Sequence, residues 1–384
     1  MIQHTFQVIA LLAAWLALAS VGYYALCVWS AASFARSSTG APESVSPTPA
    51  LPVSILKPLK GPDPEMYESF RSQCRQDYSE YEIIFGVSER DDPAIELVER
   101  LKAEFPQRRI ELVVCEKRFG NNIKVSNLIQ MLPYARYDHL IVNDSDIRVE
   151  SKYLRRVMAP LSDEKVGMAT CLYRGVAEQS LGSRLEALGI ATDFIPGVLT
   201  ARKIEGIKFG LGSTMAFRRR ELDAVGGFEA LRDFLADDFQ LGRMIAERGF
   251  EIVVPDVEVE TFLPRYTLAE YFAHQLRWAR AVRDSRFWGY VGLGVSFGLA
   301  WAALALVFSA GAWWAWGLLA LTLGARLAMA SFVAGVLRDR QSLRRLWLLP
   351  LRDLAAFLVW MVSFAGHTVK WRGQIFRLKN GKLT

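Results

Sequence analysis

The chain has 384 residues, 52% of them hydrophobic, and carries 46 Lys and Arg against 40 Asp and Glu for a net charge of +6. The length suggests two or three units, and that apolar share exceeds the globular norm and points to membrane segments. The mild positive balance, without a basic stripe interleaved with aromatics, argues against a nucleic-acid groove. Cys27, Cys74, Cys115 and Cys171 are scattered and form no C-x-x-C pair, which argues against a zinc site or a disulfide framework and suits reduced thiols.

The N-terminal segment contains no Lys, Arg, Asp or Glu before Arg36, and Phe6 to Ala35 is almost wholly apolar. A signal peptide would show a basic start and a shorter apolar core. Residues 1–36 therefore read as an uncleaved transmembrane anchor, with Arg36 on the cytoplasmic side. Residues 37–51, rich in Ser, Pro, Thr and Ala, read as a linker.

From 52 to 286 short apolar runs alternate with helical patterns. Strands are predicted at Val53–Leu56, Glu82–Val87, Ile110–Val114 and His139–Val142. Helices are predicted at Met66–Cys74, along the face shared by Ile95, Val98, Leu101 and Phe105, and along Val125, Leu128, Ile129 and Leu132. This alternation predicts βαβ units and a mostly parallel, Rossmann-like α/β sheet with helices on both faces. Residues 287–384 read as a C-terminal membrane region. A helical hairpin (287–337) turns at Gly311. Arg338, Arg340, Arg344 and Arg345 follow it, then a short last membrane helix (346–366) interrupted by Pro350, Arg352 and Asp353, and a basic tail. The unbroken apolar run of that last helix, Leu354–Gly366, is short of the ~20 residues a crossing needs, so a re-entrant or interfacial helix with a cytosolic tail is expected.

Three acidic pairs fall in order along the middle of the chain: Asp91-Asp92, Asp144-Ser145-Asp146 and Asp237-Asp238. In open α/β sheets ligands bind beyond the carboxyl ends of the strands. Asp91-Asp92 follows the second predicted strand and Asp144-Ser145-Asp146 follows the fourth, so both fall on one rim. Asp144 and Asp146 can hold a hard divalent cation, Mg²⁺ or Mn²⁺, against a diphosphate, because such ions are bound through one or two carboxylates plus substrate phosphates. An Asx turn or helix cap is the structural alternative. Asp92 before Pro93 suits a helix cap or a contact to a nucleoside, with Asp91 beside it. Asp237-Asp238 also stands at a helix start, where it could cap or, through Asp238, act as general base. Lys124 and Lys57 could reach a phosphate or remain solvated. His274, Arg277 and Trp278 are three and four residues apart on a predicted helix, Leu268–Arg280. Arg277 can neutralise a departing diphosphate and Trp278 can stack on a sugar; an amphipathic helix at the membrane surface is the alternative. Phe194–Leu199 reads as a membrane-dipping lip or a buried loop. There is no P-loop and no G-x-S-x-G, and none of the four histidines pairs with another at metal-ligand spacing.

With these residues in view, the chain resembles the ceramide glucosyltransferase family of GT-A-fold enzymes (glycosyltransferase family 21). The segments that carry the resemblance are Leu56–Gly61 (LKPLKG), Asp91–Ala94 (DDPA), Asp144–Arg148 (DSDIR), Val225–Phe228 (VGGF), Ala236–Asp238 (ADD) and Arg277-Trp278. Lys124–Leu128, Thr170–Gly175 and His274–Trp278 look most like the bacterial hopanoid-biosynthesis-associated branch. The resemblance implies a UDP-sugar donor, a membrane lipid acceptor, and an inverting hexosyl or N-acetylglucosaminyl transfer in hopanoid biosynthesis, with a ceramide acceptor as the alternative. It also implies a multi-pass protein of the bacterial inner (cytoplasmic) membrane whose catalytic domain, 52–286, faces the cytosol. By position Asp92, Asp144 and Asp238 match the three family aspartates, Asp238 being the proposed base. Arg277-Trp278 matches the end of the family's [QR]-x-x-R-W motif, whose first position here is His274. A processive polysaccharide synthase fits poorly with so few membrane helices. Against a catalytically silent membrane scaffold that keeps a nucleotide-binding fold stand the intact Asp144, Asp146 and Asp238.

Overall fold

The predicted strands form because each is a short β-branched or aliphatic run, and Val53–Pro58 and Tyr81–Val87 are buried along their whole length, the pattern of a parallel sheet covered by helices. In the computed structural model, which describes residues 2–39, 51–371 and 374–384, they become β1 (Val53–Pro58), β2 (Tyr81–Val87), β3 (Arg109–Val114) and β4 (His139–Val142). β1 pairs in parallel with β2 and with β4, Ile55 lying opposite Ile83 on one side and Ile141 on the other. β2 pairs in parallel with β3. The carboxyl ends of these strands therefore point to one rim. Helices Met66–Cys74, Ala94–Glu104 and Ile123–Met131 connect them, as the periodicity predicts. Most of the predicted linker, residues 40–50, lies outside the described residues, as does Arg372 of the basic tail.

The remaining strands are β5 (Ile147–Arg148), β6 (Val166–Thr170), β7 (Leu172–Ala177), β8 (Met215–Arg218), β9 (Glu251–Val253) and β10 (Glu258–Leu263). The main sheet has the order β3-β2-β1-β4-β8-β6-β9, and β5-β10-β7 form a smaller sheet. β8 enters the main sheet antiparallel to both β4 and β6, so the sheet is mostly parallel, as predicted, with one reversed strand inside it. β8 is too short, and too far along the chain from β4, for periodicity to assign.

The described residues fall into two units. One comprises Ser38–Val176, Gly206–Pro264 and Gly381–Thr384 and holds both of these sheets. The other comprises Met1–Ser37, Ala177–Glu205 and Arg265–Asn380. The sequence boundary at 286 thus differs from the division in space, because 177–205 and 265–286 pack with the apolar terminal helices. Leu185, Leu188 and Tyr271 share a buried cluster with Ala330, Leu349 and Ala355.

In this second unit Ile2–Ser37, Trp313–Val336 and Leu346–Ser363 are long and apolar enough to cross a membrane. Small residues allow close approach: a Cβ at Gly298 would stand 2.7 Å from Ser20 and 2.8 Å from Thr322. The first arm of the predicted hairpin is not one straight helix. Phe287–Ser296 and Gly298–Phe308 are bent by 63° at Phe297. The turn before Trp313 is as predicted, at Gly311, whose φ of +78° suits glycine. Arg352 and Asp353, which interrupt the last apolar run, are buried. Arg326 donates to both carboxylate oxygens of Asp353 at 2.8 Å and to Asp193 at 2.6 Å, and Arg352 pairs with Asp193. Charges inside a membrane segment persist when paired in this way. Phe194–Leu199 proves helical: a π-turn, Ile190–Phe194, runs into helix Ile195–Ile204, and Arg326 donates to Thr192 O at 2.7 Å.

Candidate active site

The sheet-bearing unit gathers its acidic residues at the carboxyl rim of the parallel strands. Asn143, the residue after β4, is fully buried. Its amide donates to Ser213 O at 2.7 Å, Tyr153 Oη at 3.0 Å and Thr214 Oγ1 at 3.1 Å. This pins the loop before β8 against the end of β4 and brings Gly212 beside Asp144. The helix Asp237–Glu247 reaches the same place because it has a glycine at the contact. A Cβ at Gly242 would meet Gly210 N at 2.1 Å, so only glycine permits that approach. The result is a convergence. An added Cβ at Gly212 would stand 3.0 Å from Asp144 Oδ2 and 3.0 Å from Asp238 Oδ2. The two carboxylates face one another across the width of a single methyl group.

Lys124 closes the cluster. Asn122 caps its helix by accepting from Val125 N at 3.1 Å, and the Asn122 amide holds Asp237 Oδ1 at 3.2 Å. Lys124 Nζ then bridges Asp144 Oδ1 at 2.7 Å and Asp237 Oδ2 at 3.4 Å. Burial alone would lower its pKa, but Asp144, Asp237 and Asp238 outweigh burial and hold it above the ordinary lysine value. Lys57, fully buried in β1, donates to the Asp144 carbonyl at 2.8 Å. Burial pulls Lys57 down to about 8 against the attraction of Asp146, Asp144 and Asp63.

The carboxylates carry the complementary perturbations. Burial and the charge of Asp144 push Asp146 up to about 7, although Thr261 donates to its Oδ2. Burial and Asp237 push Asp238 up to about 6, opposed by Lys124 and by the Phe239 amide on Oδ1 at 2.8 Å. Crowded carboxylates with raised pKa values are what a dication would relieve. Among the described residues no group of three or more His, Cys, Asp or Glu stands ready for a metal ion. A cation held through the carboxylates of Asp144 and Asp146 would need substrate oxygens to complete its shell, the mode usual for Mg²⁺.

Asp92 lies on the same rim with a different employment. Its carboxylate accepts from Gly61 N at 2.9 and 3.1 Å and from Ala94 N at 2.9 Å, tying the loop after β1 to the start of helix Ala94–Glu104. Asp91 beside it is exposed. The N-cap of that helix is Pro93, so Asp92 braces the turn before it, and any nucleoside contact must share this carboxylate.

His274, Arg277 and Trp278 lie in the other unit, on helix Leu268–Ser285, which opens with a capping box between Thr267 and Glu270. His274 Nδ1 stands 2.9 Å from Glu186 Oε1, and its ring lies between Tyr266 at 5.4 Å and Trp278 at 5.5 Å. Trp278 meets Phe194 edge-on at 6.1 Å. Sequence reasoning missed Gly212, Asn143, Thr261, Glu186 and Asp63, which accepts from Ser145 Oγ. The F-G-L-G-S run at 209–213 was a legible turn signal; nothing in the sequence tied it to Asp238.

The sequence profile of Glycosyl transferase family 21 matches residues 12–384. The chain belongs to that family. Among curated relatives, ceramide glucosyltransferase 3 of Caenorhabditis elegans is 27% identical over 224 residues, which cover 56% of this chain and 48% of the relative. Ceramide glucosyltransferase 1 of the same organism is 25% identical over 238 residues, 62% and 51% respectively. The chain spans about half the length of these relatives. Among solved structures, a mannosyltransferase from Pyrobaculum calidifontis in complex with GDP-Man and Mn2+ aligns over 93% of this chain and 99% of its own, with a TM-score of 0.55 and 20% identity. That likeness establishes the GT-A fold predicted for this family 21 member.

Proposed function

We propose that the chain is an inverting glycosyltransferase that moves glucose or N-acetylglucosamine from a UDP-sugar onto the hydroxyl of a membrane lipid. The observation that carries this reading is the convergence of Asp144 and Asp238 on the space above Gly212, at the strand rim where α/β sheets bind ligands. Asp238, with its raised pKa, takes the proton of the acceptor hydroxyl. The acceptor oxygen bonds to the sugar's anomeric carbon as the bond from that carbon to the diphosphate breaks, and UDP leaves. Mg²⁺ or Mn²⁺ held through Asp144 and Asp146 would neutralise the leaving diphosphate. Lys124 holds Asp144 and Asp237 in place. Asp92 and Asp91 flank the nucleoside end, Lys57 orients the Asp144 backbone, and His274, Arg277 and Trp278 serve the acceptor and the departing diphosphate.

The acceptor in this reading is a hopanoid polyol, supported by the motif segments around Lys124, Thr170 and His274. A ceramide acceptor is supported by the names of the curated relatives. The assay is transfer from UDP-glucose and UDP-N-acetylglucosamine to both lipids by protein in nanodiscs, with Mn²⁺ and with EDTA. Absence of product from every combination refutes the proposal.

We place the protein in the bacterial inner membrane with the catalytic unit cytosolic. Gly381–Thr384 belong to the sheet-bearing unit, where Asp233 O accepts from Leu383 N at 2.7 Å and Gly381 O from Leu235 N at 3.0 Å. A chain that leaves this unit at Pro264 and rejoins it at Gly381 crosses the bilayer an even number of times between. Two crossings before the arginine cluster at 338–345, followed by a re-entrant last helix, satisfy both that parity and the positive-inside rule.

A further inference from the structure

Helix Leu181–Gly189, packed against the apolar helices through Leu185 and Leu188, buries a carboxylate along with them. Glu186 is only 4% exposed, and its Oε2 accepts no hydrogen bond among the described residues. A buried carboxylate without a donor is costly, so its neighbours decide what it does. Arg352 lies over Gly189, one helical turn on, its Nη2 2.6 Å from where a Cβ would stand, but that guanidinium is paired with Asp193. His274 is the neighbour at hydrogen-bond distance: its Nδ1 stands 2.9 Å from Glu186 Oε1. Nδ1 is itself buried and makes no aligned hydrogen bond among the described residues, so a small turn of either side chain completes this one.

The imidazole is clamped on its faces as well. Tyr266 stacks on it at 5.4 Å and 25°, Trp278 tilts against it at 5.5 Å and 47°, and Phe194 backs Trp278 edge-on at 6.1 Å. Aromatic neighbours fix the plane of the ring; they do not choose which nitrogen carries the proton. A carboxylate at Nδ1 makes that choice, because it calls for an N–H there and leaves Nε2 with a lone pair. The His274 side chain stays 19% exposed although Nδ1 is buried, so the ring keeps an open edge. A nitrogen that accepts suits the O–H of a hydroxyl and repels the oxygens of a diphosphate.

We propose that Glu186 is a positioning residue for the transfer: it holds the proton of neutral His274 on Nδ1, so that Nε2 accepts from a hydroxyl of the lipid acceptor and the departing diphosphate is left to Arg277. This rests on the glycosyltransferase reading above and divides the tasks of the His274–Trp278 motif between its residues.

The test uses full-length protein in nanodiscs. Solid-state ¹⁵N NMR of histidine-labelled protein reads the protonated ring nitrogen, with His274→Gln identifying the His274 signals among those of the four histidines. Wild type is expected to carry the proton on Nδ1. Glu186→Met, which removes the acceptor but keeps the bulk, should populate the Nε2-protonated ring. The same variant should lower kcat/KM for the lipid about 10-fold or more, with KM for the UDP-sugar within a factor of two and Mn²⁺-dependent UDP binding retained as the check on folding. Glu186→Gln keeps an accepting oxygen and should lose less. In the His274→Gln background Glu186→Met should cost nothing further, because the two residues act as one unit. The proposal is overturned by a wild-type proton on Nε2, by a proton that stays on Nδ1 in Glu186→Met, by an equal loss with and without His274, or by a loss that falls on KM for the UDP-sugar. Absence of transfer by wild-type protein refutes the glycosyltransferase reading instead, and the NMR comparison still decides whether Glu186 sets the His274 proton.

Discussion

Replacing Gly212 by Ala tests the geometry of the site with one methyl group. The new Cβ would stand 3.0 Å from Asp144 Oδ2 and from Asp238 Oδ2, closer than ordinary van der Waals contact. Neither carboxylate can retreat freely, since Lys124 holds Asp144 Oδ1 at 2.7 Å and the Phe239 amide holds Asp238 Oδ1 at 2.8 Å. Crowding of this kind costs ~1 kcal/mol or somewhat more. The lower backbone entropy of the unfolded Ala variant returns about 0.4–1 kcal/mol, because the φ of Gly212 lies outside the left-handed range. The melting temperature should therefore move by only a few degrees. UDP binding should change much more if Asp144 holds the cation, because a misplacement of up to 1 Å in such a site costs about 10- to 100-fold. Titration calorimetry of UDP in MnCl₂, beside thermal melting, reads both. A UDP affinity within a factor of two of wild type would refute the convergence of Asp144 and Asp238 as a ligand site.

Asp238→Asn should abolish transfer while leaving UDP binding in place, as radiolabelled turnover and calorimetry would show. In metal-free wild-type protein the raised pKa of Asp238 has a defined sign. The stabilisation from protonating it is fully present below the ordinary Asp value and is lost as pH rises through about 6. Asp238→Asn should accordingly be the more stable protein at pH 8, by about 1–3 kcal/mol, with the advantage gone near pH 4; equal melting at both pH values would contradict the crowding. Lys124→Met leaves Asp144 and Asp237 without their cation and should cost ~3 kcal/mol or more, partly restored by Mn²⁺; an unchanged melt with EDTA would remove the bridging role. In the membrane unit, Asp353→Leu leaves Arg326 short of a partner and should lower the melting temperature in detergent markedly. The double variant Arg326→Leu/Asp353→Leu should recover much of that loss, because Asp193 keeps Arg352.

Helices Met66–Cys74 and Ile123–Met131 and strands β1–β4 were legible because each has a hydrophobic period of its own. The position of Asp144 was legible from β4 alone, since a parallel strand must end at the ligand rim. The antiparallel insertion of β8 was not, because Leu140 meets Phe217 only through a long-range pairing that neither segment encodes by itself. The reading of Leu346–Ser363 as interrupted rested on Arg352 and Asp353, and their effect changes once Asp193 and Arg326, far off in the chain, are beside them.

By itself the sequence determined the residue types of the site, the strands that carry Asp144 and Lys57, and the apolar segments that flank them, because these depend on local period and composition. Only the tertiary structure decided that Asp238 comes to Asp144, and that 177–205 and 265–286 pack with the membrane helices. The first follows from Asn143 fixing the loop at Gly212 and from the bare backbone of Gly242. For 177–205 the second follows from Arg326, whose buried charge requires Asp193 and Asp353 around it, and for 265–286 from Tyr271, buried among Ala330, Leu349 and Ala355.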